Sequence, residues 1–183
     1  NGVGRFNGNV RLDDATVVTT TGSGAITFTG TLDSQASEAN TLSLTGNTGD
    51  VLLQGAVGGA TNGELGAVTI VSAANVTASS TIEAASLTQS AGTGTTMLDG
   101  LVTTTAAGTN VNLTTASIDI DASVVTNGGA VDLNATTLVD LATGQSITTT
   151  GDAAGEAGGA IDIDVSGTGT VNLVGSLVTT GNT

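Results

Sequence analysis

Aspartates placed between aliphatic residues are the side chains of this sequence best able to do chemistry. The pattern recurs in the second half of the chain, and the carboxylates concerned are those of Asp119, Asp121, Asp140, Asp162 and Asp164. Carboxylate oxygens are preferred ligands of Ca²⁺, so stacked aspartates are a candidate calcium site. The same residues also fit a solvated acidic surface that limits aggregation, and they do not match the G-G-x-G-x-D repeat of calcium-binding solenoids. Ca²⁺ is therefore a candidate ion, and no cofactor is required.

The composition excludes several other kinds of site. The 183 residues include no Cys and no His, which removes thiolate chemistry, disulfides and histidine-based metal or acid–base sites. The chain has two cationic side chains, Arg5 and Arg11, and 16 carboxylates, which gives a net charge of −14. Nucleic acids and anionic membrane surfaces both need cations to bind, so neither is an expected partner.

Enzymatic activity and membrane insertion are not expected either. Some β-helical enzymes cleave polysaccharides with carboxylates and an Arg or Lys, but no cation follows Arg11 here and the chain has no Trp or Tyr to bind a sugar ring. The longest purely apolar runs are only a few residues, which is too short for a membrane span. The chain is nevertheless 38% hydrophobic, and its aliphatic and Thr residues favour β-strands.

A repeated phrase organises the sequence. The phrase consists of an aliphatic residue, a Thr-rich stretch, a Gly-rich turn and then Gly-Ala-aliphatic-x-aliphatic. It occurs, with variations, at residues 16–28, 100–113, 123–133 and 146–163, and its first half recurs at 176–183. A shorter aliphatic-x-aliphatic motif accompanies the phrase, as at Val10–Leu12 and Val171–Leu173. The longest phrase contains an extra loop at 151–159, which we interpret as a tolerated bulge. Periods of 20–30 residues are typical of solenoids.

Three short strands per repeat predict an all-β fold, a parallel β-helix (β-solenoid) of roughly eight three-sided coils. Coils stacked about 4.8 Å apart pair their backbones and bury a continuous aliphatic column. Alternation places the following residues inside: Val10, Leu12, Ile118, Ile120, Val139, Leu141, Val171 and Leu173. The aliphatic residues that begin the second strand are predicted to be Leu101, Val124, Ile147 and Leu177, with Val102 and Thr104 facing outward. The alternative is a β-sandwich with Asn127-Gly128 in a hairpin turn.

This register also stacks acidic residues on the outside. The predicted columns are Asp119–Asp140–Asn172 and Asn112–Asp132–Asp162, and Asp121 and Asp164 follow on the same faces. Like charges about 5 Å apart in water repel by roughly 1 kcal/mol, which bound cations would relieve. The outward threonines, by contrast, do not form the regular Thr-x-Thr face of an ice-binding protein, and β-propensity accounts for them.

Several phrases resemble the repeats of a known family. VTTTGSGAITF, GDVLLQGAVGG and SITTTG…GGAIDIDV are similar to the degenerate repeats of very large bacterial surface proteins, the filamentous haemagglutinin-like and related autotransported adhesins. The resemblance covers essentially the whole chain. It implies a right-handed parallel β-helix, secretion by a Gram-negative-type cell, and a rod that displays adhesive regions far from the surface. It brings no catalytic residues, because the repeats are scaffold in that family.

These observations predict one β-solenoid segment over residues 1–183 of a longer repetitive chain, with regular repeats at 91–183 and more degenerate ones at 29–90. The predicted function is a non-enzymatic extracellular structural shaft of a bacterial surface adhesin or fibre. The alternative is a self-assembling subunit of an extracellular filament. In either case the expected partner is the chain itself, through covalently continuous or end-to-end coils, and the surface to which it binds is not identified.

Overall fold

Parallel β-strands stacked in columns form the fold. The computed structural model describes residues 2–106, 108–151 and 153–182, and of Thr109 it describes the backbone only. These residues contain no helix, and the strand pairs among them are all parallel. The chain is therefore an all-β solenoid, as the repeat predicts, and the β-sandwich alternative is wrong.

Each coil has three faces, which we name A, B and C in chain order. Face A contains β1 (Gly4–Phe6), β4 (Ile26–Phe28), β7 (Val51–Leu53), β9 (Val76–Ala78), β11 (Thr95–Leu98), the second halves of β13 (Gly108–Ile120) and β15 (Gly129–Leu141), and β18 (Thr170–Leu173). Face B contains β2 (Val10–Leu12), β5 (Leu32–Ser34), the first half of β10 (Ile82–Gln89), β12 (Val102–Thr104), β14 (Val124–Asn127), β16 (Ser146–Thr150) and β19 (Ser176–Thr180). Face C contains β3 (Thr16–Thr19), β6 (Leu42–Thr45), β8 (Leu65–Ser72), the second half of β10, the first halves of β13 and β15, and β17 (Ile161–Val165).

About six coils are complete, slightly fewer than the eight predicted. In the third coil, face B is reduced to Val57, which forms isolated bridges to Leu32 and Ile82. In the last coil, β18 and β19 are not followed by a third strand among the described residues. Counting aliphatic motifs gives too many coils because an incomplete coil still contains recognisable motifs.

The interior is a stack of aliphatic side chains, as predicted. Ile118, Ile120, Val139 and Leu141 are 0% exposed, and Ile118 pairs with Val139 and Ile120 with Leu141 in the next coil. At the first coil, the rings of Phe6 and Phe28 stack with centroids 4.5 Å apart. In the last coil, Val171 and Leu173 occupy the predicted columns but are 44% and 40% exposed, since no described strand covers β18 on its outer side.

The predicted start of the second strand is wrong by one residue in one coil. The observed face B column is Val102, Val124, Ile147 and Leu177. Val102 and Thr104 are 0% exposed, whereas Leu101 is 42% exposed. Leu101 and Val102 are adjacent aliphatics of similar size, so alternation alone does not determine which of them points inward.

The phrase at residues 16–28 also lies on different faces from its counterparts. β3 and β4 occupy faces C and A, whereas the similar phrases after residue 100 occupy faces B and C. Val17, which aligns with Val124 in the repeat, is 72% exposed. Aliphatic and Thr residues suit any face of this solenoid, so similar composition does not guarantee an equivalent position.

The corner between faces B and C takes up most of the variation in coil length. Equivalent inward positions on faces A and B are six residues apart in most coils, as from Ile118 to Val124. From face B to face C the step ranges from five residues, Ile82 to Leu87, to fourteen, Ile147 to Ile161. The loop at 151–159 falls in this corner and leaves β16 and β17 in register, as predicted, although Asp152 lies outside the described residues.

Candidate functional site in the acidic columns

The first predicted acidic column runs along the outer surface of face A. Asp119 pairs in register with Asp140, and Asp140 pairs with Asn172, which confirms the predicted order. Met97 precedes Asp119 in the same column. Short strands with buried aliphatics on both sides fix this geometry, because each central residue must then point to solvent.

The second predicted column lies on face C and is also confirmed. Asn112 pairs with Asp132, and Asp132 pairs with Asp162. Asp164 is exposed and lies beside Asn134, one pleat further along the same strands. The predicted residues therefore fall into two groups on different faces rather than into one site.

Asparagine amides lie next to two of the carboxylates and bond to them. The Asn112 and Asn134 amides donate to the two Asp132 oxygens at 3.3 and 2.7 Å, and the Asn172 amide donates to Asp140. A carboxylate that accepts amide hydrogen bonds is stabilised without a metal ion. Asn134 was not among the predicted site residues, although its place two residues after Asp132 puts it on the same outward face.

Asp119 is in an unfavourable environment for a charge. Partial burial raises the pKa of this carboxyl, and the nearby charges of Asp121, Asp140 and Asp99 raise it further. Both effects disfavour the ionised form. Asp99 and Asp121 each lie just after a strand, at the corners beside face A. The sequence analysis named Asp121 but not Asp99.

Calcium binding by these columns stays a prediction. Within the described ranges, no group of three or more Asp, Glu, His or Cys side chains is arranged to hold a metal ion. The hypothesis is tested by thermal unfolding with Ca²⁺ and with chelator. A rise in the midpoint on adding Ca²⁺ would support bound calcium, whereas equal midpoints would leave the solvated acidic surface as the interpretation.

Threonines contribute to the interior, which the sequence analysis did not foresee. Thr126 and Thr149 are 0% exposed at the end of face B. The Thr126 hydroxyl donates to the Gly129 carbonyl and the Thr149 hydroxyl donates to the Gly159 carbonyl at 2.5 Å, so each closes the corner that follows. The outward column of this face is Thr103, Val125, Thr148 and Val178, which is not a continuous threonine array.

The comparisons with known proteins give no family for this chain. No match to this chain was found among the protein-family models, the curated proteins or the solved structures. In the part of the chain that is described, no helix has the length and apolar character needed to cross a membrane.

Proposed function

We propose that this chain is a non-enzymatic structural shaft segment of a bacterial surface adhesin or fibre, located outside the cell. The observation that supports this most is the repetition of one set of contacts along the solenoid. On face A, strands pair in parallel from β1 through every coil to β18. In such a stack each inner coil is held by its neighbours on both sides, which suits a mechanical spacer.

The surface chemistry agrees with this role. A net charge of −14 discourages lateral association of neighbouring rods. The Asn–Asp contacts hold part of that charge in fixed hydrogen bonds on the outer faces. The bacterial and extracellular parts of the proposal rest on the resemblance to adhesin repeats.

Limited proteolysis with a protease that cleaves after Glu tests the shaft proposal. The four glutamates sample different parts of the fold: Glu38 and Glu156 lie in B–C corner loops, Glu64 lies directly before β8, and Glu83 lies within β10. If the chain is a stacked shaft, the bonds after Glu38 and Glu156 in the loops should be cleaved first. The bond after Glu83 should resist cleavage, because β10 is paired with β8 and β12. The heat-unfolded chain is the control for access to all four sites. Cleavage after Glu83 as fast as in the loops would contradict the proposal.

End-to-end assembly into a filament is a second candidate, favoured by the exposure of the last coil. Val171, Leu173 and Leu177 are inward positions that are 40–44% exposed, and the outer edges of β18 and β19 are free to pair among the described residues. A further coil would cover them, whether it comes from a second copy or from the same chain.

Sedimentation velocity over a range of concentrations tests this candidate. The chain should associate as concentration rises, and Leu177→Asp should prevent association by placing a charge in the contact. Leu101→Asp is the matched control, since Leu101 is exposed to a similar extent, 42% against 44% for Leu177, but lies just before β12 in an inner coil, away from both ends. A chain that stays monomeric throughout would exclude the filament but not the shaft.

A further inference from the structure

The B–C corner of the fifth coil differs from the two that follow it. Thr104, Thr126 and Thr149 pair in register at the end of face B, and all three are 0% exposed. Thr126 and Thr149 each donate a hydrogen bond to a glycine carbonyl in the next corner. The Thr104 hydroxyl has no hydrogen-bond partner among the described residues.

Asn110 brings a second unpaired polar group into this corner. It is the extra residue of a bulge in β13, where the pairing with β15 shifts between Thr109 and Val111. Its side chain is 0% exposed, and neither its oxygen nor its nitrogen has a hydrogen-bond partner among the described residues.

The two unpaired groups are both next to the corner that Thr126 and Gly129 form in the next coil. Thr104 is the in-register neighbour of Thr126, which bonds to Gly129. The Asn110 side chain lies beside Gly129, since a Cβ at that position would collide with it. An unpaired hydroxyl and an unpaired amide therefore both belong to this buried corner. Buried polar groups are nearly always paired, with protein or with ordered water, so this pair needs a partner.

We infer that this corner binds an internal water molecule held by the Thr104 hydroxyl and the Asn110 amide. A buried water typically makes about three hydrogen bonds, and the hydroxyl with the two polar atoms of the amide supplies that number. Both side chains are neutral, which fits water better than an ion. The corner is also two residues longer here, nine from Val102 to Val111, than in the next coil, seven from Val124 to Val131, and Asn110 is one of the added residues. This binding site is independent of the shaft proposal.

The sign of the change in Tm for Thr104→Val tests the inference. If the corner holds water, valine removes one of its hydrogen bonds and Tm falls by about 2–4 °C. If the corner is dry, valine replaces an unpaired buried hydroxyl with a methyl group of similar size and Tm rises. Thr149→Val is the matched control, because it loses a direct hydrogen bond to Gly159 and should lower Tm in either case.

A high-resolution crystal structure of the chain gives a second, direct test. The inference predicts an ordered water within about 3.2 Å of both the Thr104 hydroxyl and the Asn110 amide. A corner without such a water, or a Tm that rises in Thr104→Val, would overturn it.

Discussion

Replacing valine by alanine in two successive layers of one interior column tests whether the coils stack as described. Val139 and Val171 are in-register partners on face A, in β15 and β18. Val139 is 0% exposed between Ile118 and Val171, whereas Val171 is 44% exposed and has a described partner on one side. The same two methyl groups are removed in each variant, so each serves as the control for the other.

The expected free-energy losses follow from burial. Removing two buried methyl groups costs about 1.6 kcal/mol in transfer free energy. At Val139 the closed cavity left between two coils raises the total to about 2–3 kcal/mol. At Val171 little more than half of the side chain is buried and no closed cavity forms, so the expected cost is about 0.9 kcal/mol.

Urea unfolding followed by far-UV circular dichroism measures both losses. Protein concentrations below any self-association keep the last coil uncovered. The slope of unfolding free energy against urea should be the same for the two variants, because neither changes the surface exposed on unfolding by much. Equal losses at Val139 and Val171, or a loss below about 0.5 kcal/mol at Val139, would refute the stacking of these layers.

The remaining predictions concern charge, register and corner hydrogen bonds. Because the folded-state pKa of Asp119 is raised, its charge destabilises the fold above that pKa and has no effect below the ordinary carboxyl pKa. Asp119→Asn should therefore raise the free energy of unfolding at pH 7 and leave it unchanged near pH 3. The rise should be small, below about 1 kcal/mol, because solvent screens this partly exposed carboxylate. An equal effect at both pH values would contradict this. Val102→Ser should cost more than about 2 kcal/mol and Leu101→Ser less than about 1 kcal/mol in urea unfolding, and the reverse order would restore the register predicted from sequence. Thr126→Val should lower stability by about 1 kcal/mol by removing its hydrogen bond to Gly129, and no loss in thermal unfolding would show that this bond does not matter.

The sequence predicts the fold class and two of the outer columns because the relevant strands have a simple pattern. In Ile118–Ile120 and Val139–Leu141 a single polar residue stands between two aliphatics, so only one assignment of inside and outside is possible. Parallel stacking then places Asp119 beside Asp140, as observed.

The sequence fails where the local pattern is ambiguous or where corners decide the contacts. Leu101 and Val102 are two aliphatic residues that compete for one inward position. The pairing of Val102 with Ile82 and Val124 in the neighbouring coils decides which of them points inward. Threonine suits both the outside of a strand and a buried corner, so the Thr126–Gly129 hydrogen bond cannot be inferred before the corner conformation is known. The Asn110 bulge depends in the same way on the lengths of neighbouring coils.

The stacking of successive coils is tested most directly by disulfide formation, since the chain has no native Cys. Val125, Thr148 and Val178 are outward partners in three successive layers of face B. The pair Val125→Cys/Thr148→Cys spans one strand spacing of about 4.8 Å, within the range of a disulfide, whereas Val125→Cys/Val178→Cys spans about 9.6 Å and exceeds it. Mild oxidation at low concentration should give an intramolecular disulfide in the first variant and free thiols in the second. A disulfide between positions 125 and 178, or none between 125 and 148, would contradict the stacked solenoid.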